Sequence, residues 1–204
     1  MLGIADYGAF CAAVLVFLML PGPGTFALLT STGKGGFKAG AAATLGLIAG
    51  DQVLMWLAAA GVAALLAARP VLFHAVQYLG AAYLAWIGLK LLFARGAGGA
   101  SPIRIEARHY ARQAFLITLL NPKAIVFYMA FFPLFVDPAR HQGLTTFVAM
   151  AATIAAITAV YCLLLCAFAR AVSEQVRRHR TLARALEKLA GVFLIGFGIR
   201  LGTQ

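Results

Sequence analysis

The fold is decided by an uncharged apolar stretch at residues 8–30, which reads GAFCAAVLVFLMLPGPGTFALLT. A helix needs about 20 residues to cross the hydrocarbon core of a bilayer, and this stretch exceeds that length. Backbone groups inside lipid must find hydrogen-bond partners within the protein, and the stretch is too long for a tilted strand. We therefore predict a transmembrane helix that contains a PGPG interruption at residues 21–24.

Five further stretches of the same character extend this prediction over the whole chain. The chain has 204 residues, of which 63% are hydrophobic and 11% are charged. A soluble domain carries about a quarter charged residues and has too little interior to hide so much apolar surface. The sequence therefore predicts an all-α integral membrane protein of six transmembrane helices. The five further spans are 41–67, 71–94, 113–136, 144–169 and 186–201.

The positive charges fix the expected orientation. A net charge of +11 would suggest nucleic-acid binding in a soluble protein. Here lysine and arginine gather in the first, third and fifth loops, which hold eleven of them against three on the opposite side. Cytoplasmic loops carry this excess, so we expect both termini outside the bacterial inner (plasma) membrane, and no nucleic-acid partner.

The chain is expected to be a single membrane domain, 1–204, made of two three-helix repeats. Residues 77–91 resemble residues 187–201, and the breaks at 21–24 and 121–123 fall at matching places in spans one and four. A repeat of three helices must invert in the membrane, and inverted repeats with broken helices are typical of secondary transporters. The predicted repeats are 1–94 and 113–204, joined by a basic cytoplasmic loop at 95–112. A chance match between helices rich in leucine and glycine is the alternative.

The two breaks have the residues of helix starts. Asn121 is a favoured N-cap and Pro122 suits the first helical position, and Gly22 and Pro23 can act in the same way. A helix N-terminus inside the protein favours an anion such as a carboxylate, although a plain proline kink is the alternative. The candidate substrate-binding residues are Pro21, Gly22, Pro23, Gly24, Asn121, Pro122 and Lys123.

Two charged residues lie deep in the apolar stretches. Asp51 and Lys123 are each about ten residues from the cytoplasmic end of their span, or roughly 15 Å deep. Charges at this depth are costly and usually functional. Asp51 is the candidate proton-coupling residue, with a purely structural pair between Asp51 and Lys123 as the alternative.

Other classes of site have weaker support. Cys11, Cys162 and Cys166 lie in apolar stretches without a cluster of histidine or carboxylate ligands, so we expect neither a metal site nor a disulfide framework. The sequence offers no phosphate-binding loop and no pairing of a nucleophile with a base, which argues against an enzyme and against a cofactor. A membrane thiol carrier that uses the cysteines remains an alternative.

Short motifs recur in order along the spans, and they are Pro21-Gly22-Pro23, Gly50-Asp51, Tyr78-Leu79-Gly80, Tyr83-Leu84, Gly88 and Asn121-Pro122-Lys123-Ala124. In these motifs the chain resembles the LysE/RhtB family of amino-acid exporters. Residues 50–57, 60–63 and 121–128 carry a closer likeness to the leucine-type exporters within it.

The resemblance implies an exporter that moves a small neutral amino acid from cytoplasm to periplasm by proton antiport. Threonine, homoserine and basic amino acids are alternative substrates within the family. The expected partners are the amino-acid substrate, protons and membrane lipid. A homodimer is left open.

Overall fold

The computed structural model describes residues 3–20, 22–68, 109–137, 139–140 and 142–169, together with six isolated residues. The isolated residues are all helical, and they are Tyr78, Trp86, Leu89, Lys188, Val192 and Ile195. Pro21 and most of the predicted third span, sixth span and basic loop lie outside the described residues.

The described chain forms five helices. They are α1 (Tyr7–Met19), α2 (Pro23–Ala68), α3 (Tyr110–Leu119), α4 (Pro122–Phe135) and α5 (Leu144–Ala167). In this part of the chain α2 and α5 are long and apolar enough to cross a membrane, and α3 with α4 makes a third such unit bent by 62°. The prediction of a helical membrane protein is confirmed.

The long helix α2 is divided at Gly36. This glycine has φ 69° and ψ −166°, a backbone conformation that residues with a side chain rarely adopt. It separates a first arm, residues 23–35, from a second arm, residues 37–68. The sequence predicted a loop between residues 30 and 41, and this was wrong, because one glycine suffices to turn the chain.

The two arms of α2 lie side by side and run in opposite directions. A methyl group on Gly24 would lie 3.3 Å from Cδ2 of Leu47, and the Thr32 hydroxyl lies against Gly40. In one straight helix Gly24 and Leu47 would be roughly 35 Å apart, so these contacts require the chain to fold back at Gly36. Folding back brings Asp51, fifteen residues after Gly36, level with the break before α2.

Helix α4 runs antiparallel to α1 along a ladder of aromatic rings. Phe10, near the start of α1, stacks on Phe131 with ring centroids 5.8 Å apart. Phe17, near its end, stacks on Phe127 at 3.8 Å. Early residues of α1 therefore meet late residues of α4, and the end of α1 meets the start of α4.

Helix α5 runs antiparallel to the second arm of α2. The Gln52 side-chain amide donates a hydrogen bond of 3.1 Å to the carbonyl of Ala151. At the other end of the same pair, Cys166 lies against Gly40. These two contacts fix the register between α5 and the second arm.

Helix α3 packs against the second arm of α2 through glycine. A methyl group on Gly46 would overlap the backbone of Ala111, and one on Gly50 would lie 2.7 Å from Cβ of Thr118. Small residues allow such close backbone approach between membrane helices. The two helices run parallel, because the earlier glycine of α2 meets the earlier residue of α3 and the later glycine meets the later residue.

We expect Gly46→Ala to destabilise the protein by roughly 1–3 kcal/mol, because the new methyl group must push α3 away. The thermal unfolding midpoint of the purified protein in detergent measures this effect. Gly61→Ala is the matched control, since nothing lies within 4 Å of its added methyl group in the same arm. Equal midpoints for Gly46→Ala and the parent would contradict the close contact.

Candidate functional site

The first helix break lies between α1 and α2. Helix α1 ends at Met19, and Leu20 is extended at φ −68° and ψ 116°. Helix α2 begins at Pro23, and the Gly22 carbonyl accepts the first helical hydrogen bond from Phe26 N–H at 3.0 Å. The predicted roles of Gly22 and Pro23 as cap and first helical residue are confirmed.

The second break lies between α3 and α4. Asn121 is extended, and its side-chain oxygen accepts a hydrogen bond of 3.1 Å from Lys123 N–H. Pro122 opens the helix, where its missing N–H leaves no bond unmade. The predicted cap is confirmed, and the two helices bend by 62° across it.

The Lys123 side chain, at the second break, forms hydrogen bonds with the backbone beside the first break. Its ammonium group donates hydrogen bonds to the carbonyl of Leu20 at 2.8 Å and to that of Phe17 at 3.4 Å. It also lies 4.7 Å from the centre of the Phe17 ring. Because carbonyls at a helix C-terminus lack partners and carry partial negative charge, the lysine stabilises the end of α1.

Asp51 has a different partner. Its side chain is buried and accepts a hydrogen bond from the Tyr128 hydroxyl of α4. No ion pair joins Asp51 to Lys123, although both residues are described. The alternative of a structural Asp51–Lys123 pair is therefore wrong, since each group has its own partner.

A cavity of about 60 Å³ brings these groups together. A water-sized group needs about 10–15 Å³, so the cavity could hold roughly four to six, and a larger ligand requires the surrounding helices to move apart. Asp51 and Lys123 both line it, together with residues of both breaks. The lining residues predicted from the sequence are Gly22, Gly24, Asp51, Asn121 and Lys123.

One wall of the cavity was missed by the sequence analysis. Helix α5 contributes Thr158, Tyr161, Cys162 and Leu165. Their spacing of three, four and seven residues places them on one helix face. The spacing is visible in the sequence, but all faces of this span are apolar, so nothing there marks the face that points inward.

The cysteines do not form a metal site in the described part of the chain. No group of three histidine, cysteine or carboxylate side chains suited to a metal is found there. Cys162 and Cys166 are buried in one hydrophobic cluster, whereas Cys11 packs against another. All three are free thiols.

Comparison with known proteins gives the family. The LysE type translocator family matches residues 15–204. The chain belongs to the LysE family. Members of this family are transporters, so the chain is a transporter and not an enzyme. The resemblance to this family that the sequence motifs predicted is confirmed.

Relatives of this LysE protein match it along nearly the full length. A leucine efflux protein of Klebsiella pneumoniae is 37% identical over 98% of this chain and 96% of its own. A leucine efflux protein of an Enterobacter species is 36% identical over 98% and 97%. An uncharacterised membrane protein of Pseudomonas aeruginosa is 35% identical over 99% and 97%. No solved structure matches the chain.

Proposed function

We propose that this LysE protein exports a small neutral amino acid of the leucine type from cytoplasm to periplasm by proton antiport. The observation that carries the proposal is the charge of the cavity. Its described lining contains one acid, Asp51, and one base, Lys123. A zwitterion with an uncharged side chain is the amino acid that matches one charge of each sign.

The substrate carboxylate would bind at the helix breaks. The N-terminus of α2 begins at Pro23 and that of α4 at Pro122, and residues beside both line the cavity. Unpaired N–H groups at a helix start and the helix dipole favour an anion. Lys123 has a third N–H beyond the two that it gives to α1, and this N–H would donate to the same carboxylate.

The substrate ammonium group would pair with Asp51. Tyr128 donates one hydrogen bond to this carboxylate, and the carboxylate oxygens can accept further hydrogen bonds. The apolar part of the lining would receive the substrate side chain. It includes Leu28, Leu47 and Leu165.

Competition for Asp51 would couple the transport to protons. A proton arriving from the periplasm neutralises the carboxylate and releases the substrate ammonium, and its loss to the cytoplasm restores the binding site. One proton inward for one zwitterion outward moves one positive charge inward per cycle. At 100 mV this supplies about 2.3 kcal/mol, enough for a gradient of roughly 40-fold.

The helix directions agree with two inverted repeats. In span one, α1 runs opposite to α4 of span four. The first arm of α2, also in span one, runs opposite to α3 of span four, because α3 is parallel to the second arm. The second arm of α2, as span two, likewise runs opposite to α5, as span five. Corresponding helices that run in opposite directions are expected when one repeat is inverted.

The orientation in the inner membrane follows from the charges. We propose that both termini face the periplasm, because eleven lysine and arginine residues lie in the odd loops. Lys34 and Lys38, on either side of the turn at Gly36, are exposed in the structure. This agrees with a turn at the cytoplasmic surface. Lipid contact follows from the membrane setting, and a homodimer stays a prediction.

The proposal is tested with the purified protein in liposomes that carry an imposed pH gradient. Uptake of labelled leucine, threonine, homoserine and lysine is measured with and without an uncoupler. We expect leucine to accumulate uphill and the uncoupler to abolish this. Lysine transport alone would show a basic substrate, and no transport of any of these would overturn amino-acid export.

A variant with all three cysteines replaced by serine belongs in the same experiment. Full transport by this variant eliminates the thiol-carrier alternative, because electron transfer requires at least two of Cys11, Cys162 and Cys166.

A further inference from the structure

Thr158 of α5 presents an unpaired hydroxyl at the cavity. The residue is 1% exposed, and its hydroxyl oxygen has no hydrogen-bond partner in the structure. Buried polar groups nearly always have a partner, and leaving one unpaired costs stability. Ser31 is the other buried hydroxyl without a partner in the described chain, but only Thr158 lines the cavity, where a ligand can complete its hydrogen bonding.

Other threonines within these helices behave differently. A threonine hydroxyl in a helix commonly donates to the carbonyl four residues earlier. Thr44 does so at 3.0 Å, and Thr153, on the same helix as Thr158, does so at 2.8 Å. Thr32 donates to its own helix at 2.8 Å in the same way. Thr158 makes no such bond, so its hydroxyl is free to serve a group in the cavity.

The position of Thr158 brings it close to Asp51. The register between α5 and the second arm of α2 sets Thr158 opposite Leu47, one helical turn before Asp51. Both residues line the cavity. Thr158 and Asp51 therefore face the same cavity about one helical turn apart.

We propose that Thr158 contacts the substrate directly, its hydroxyl oxygen accepting a hydrogen bond from the ammonium group that Asp51 pairs with. This inference rests on the proposed export of a neutral amino acid. It adds α5 to the binding site and predicts that the substrate's ammonium group must offer at least two N–H donors, one for each residue.

The test is Thr158→Val, which keeps the shape and removes the hydroxyl, measured with leucine in liposomes and by thermal unfolding. Because the hydroxyl is unpaired in the empty protein, we expect the unfolding midpoint without leucine to be no lower than that of the parent. We expect KM for leucine to rise at least about 10-fold, as is typical when a hydrogen bond to a charged group is lost. Thr158→Ser should keep the parent KM.

Thr44→Val is the matched control, since that hydroxyl is buried but bonds only its own helix in the structure. Its KM should stay at the parent value. If the parent protein transports leucine and Thr158→Val has the same KM, the role of Thr158 is overturned while the proposed export stands. A Thr158→Val protein that unfolds at a lower temperature without leucine would also overturn it, by showing a structural role. If the parent protein transports no amino acid, the proposed function is overturned and this inference is overturned with it.

Discussion

Replacing Asp51 by asparagine is expected to abolish uphill export while leaving the protein folded. The asparagine oxygen can still accept the Tyr128 hydrogen bond, so the buried contact between α2 and α4 survives. The amide can neither bind and release a proton nor pair with an ammonium group as a charge. The loss of a charged hydrogen bond is worth about 1.5–3 kcal/mol, which corresponds to roughly 10–150-fold weaker substrate binding.

The measurement compares leucine accumulation against a gradient in liposomes containing parent or variant protein, with thermal unfolding as the check on folding. Asp137→Asn is the matched control, because that carboxylate lies in the connection after α4 and pairs with Arg140 at the surface. It should accumulate leucine like the parent. Uphill accumulation by Asp51→Asn at the parent level would mean that Asp51 is structural and that coupling occurs elsewhere.

Replacing Lys123 by methionine is expected to impair both stability and transport. Methionine has a similar length and fills the same space, but it leaves the carbonyls of Leu20 and Phe17 without their donor. Leaving a buried acceptor unpaired costs about 1–3 kcal/mol, and the end of α1 is no longer tied to the start of α4. The two breaks then lose their fixed geometry, so export should fall along with the unfolding midpoint.

Lys38→Met is the matched control, because Lys38 is exposed beside the turn in α2. It should leave the unfolding midpoint and the leucine transport rate unchanged. The unfolding midpoint and the initial rate of leucine transport are measured for both variants. A Lys123→Met protein as stable as the parent would argue against the cap on α1. One that also exports normally would remove Lys123 from the site.

The helix breaks could be predicted from the sequence because their causes are local. Asn121 caps the helix through a bond to a residue two positions along the chain, and proline at the next position restricts only its own backbone. Gly22 and Pro23 repeat this chemistry at the first break. The apolar spans follow from composition in the same way, because each helix satisfies its own backbone in lipid.

The partners of the charged residues were decided by the tertiary structure. The sequence sets Asp51 and Lys123 at a similar depth, and their opposite charges suggest a pair. Their actual partners are Tyr128 and the carbonyls at the end of α1, which come into reach only because α4 lies antiparallel to α1. A backbone carbonyl is present at every residue, so no sequence pattern marks the one that a lysine will bind.

The turn at Gly36 and the inward face of α5 also required the folded structure. Glycine is frequent throughout this chain, and only the packing of the two arms of α2 shows that Gly36 carries the reversal. Thr158 lies in a span that is apolar on every side, and in lipid the hydrophobic pattern does not distinguish an inward face from an outward one. The sequence by itself therefore determined the membrane helices and their breaks, through local backbone chemistry. The contacts between helices decided which side chains meet at the cavity.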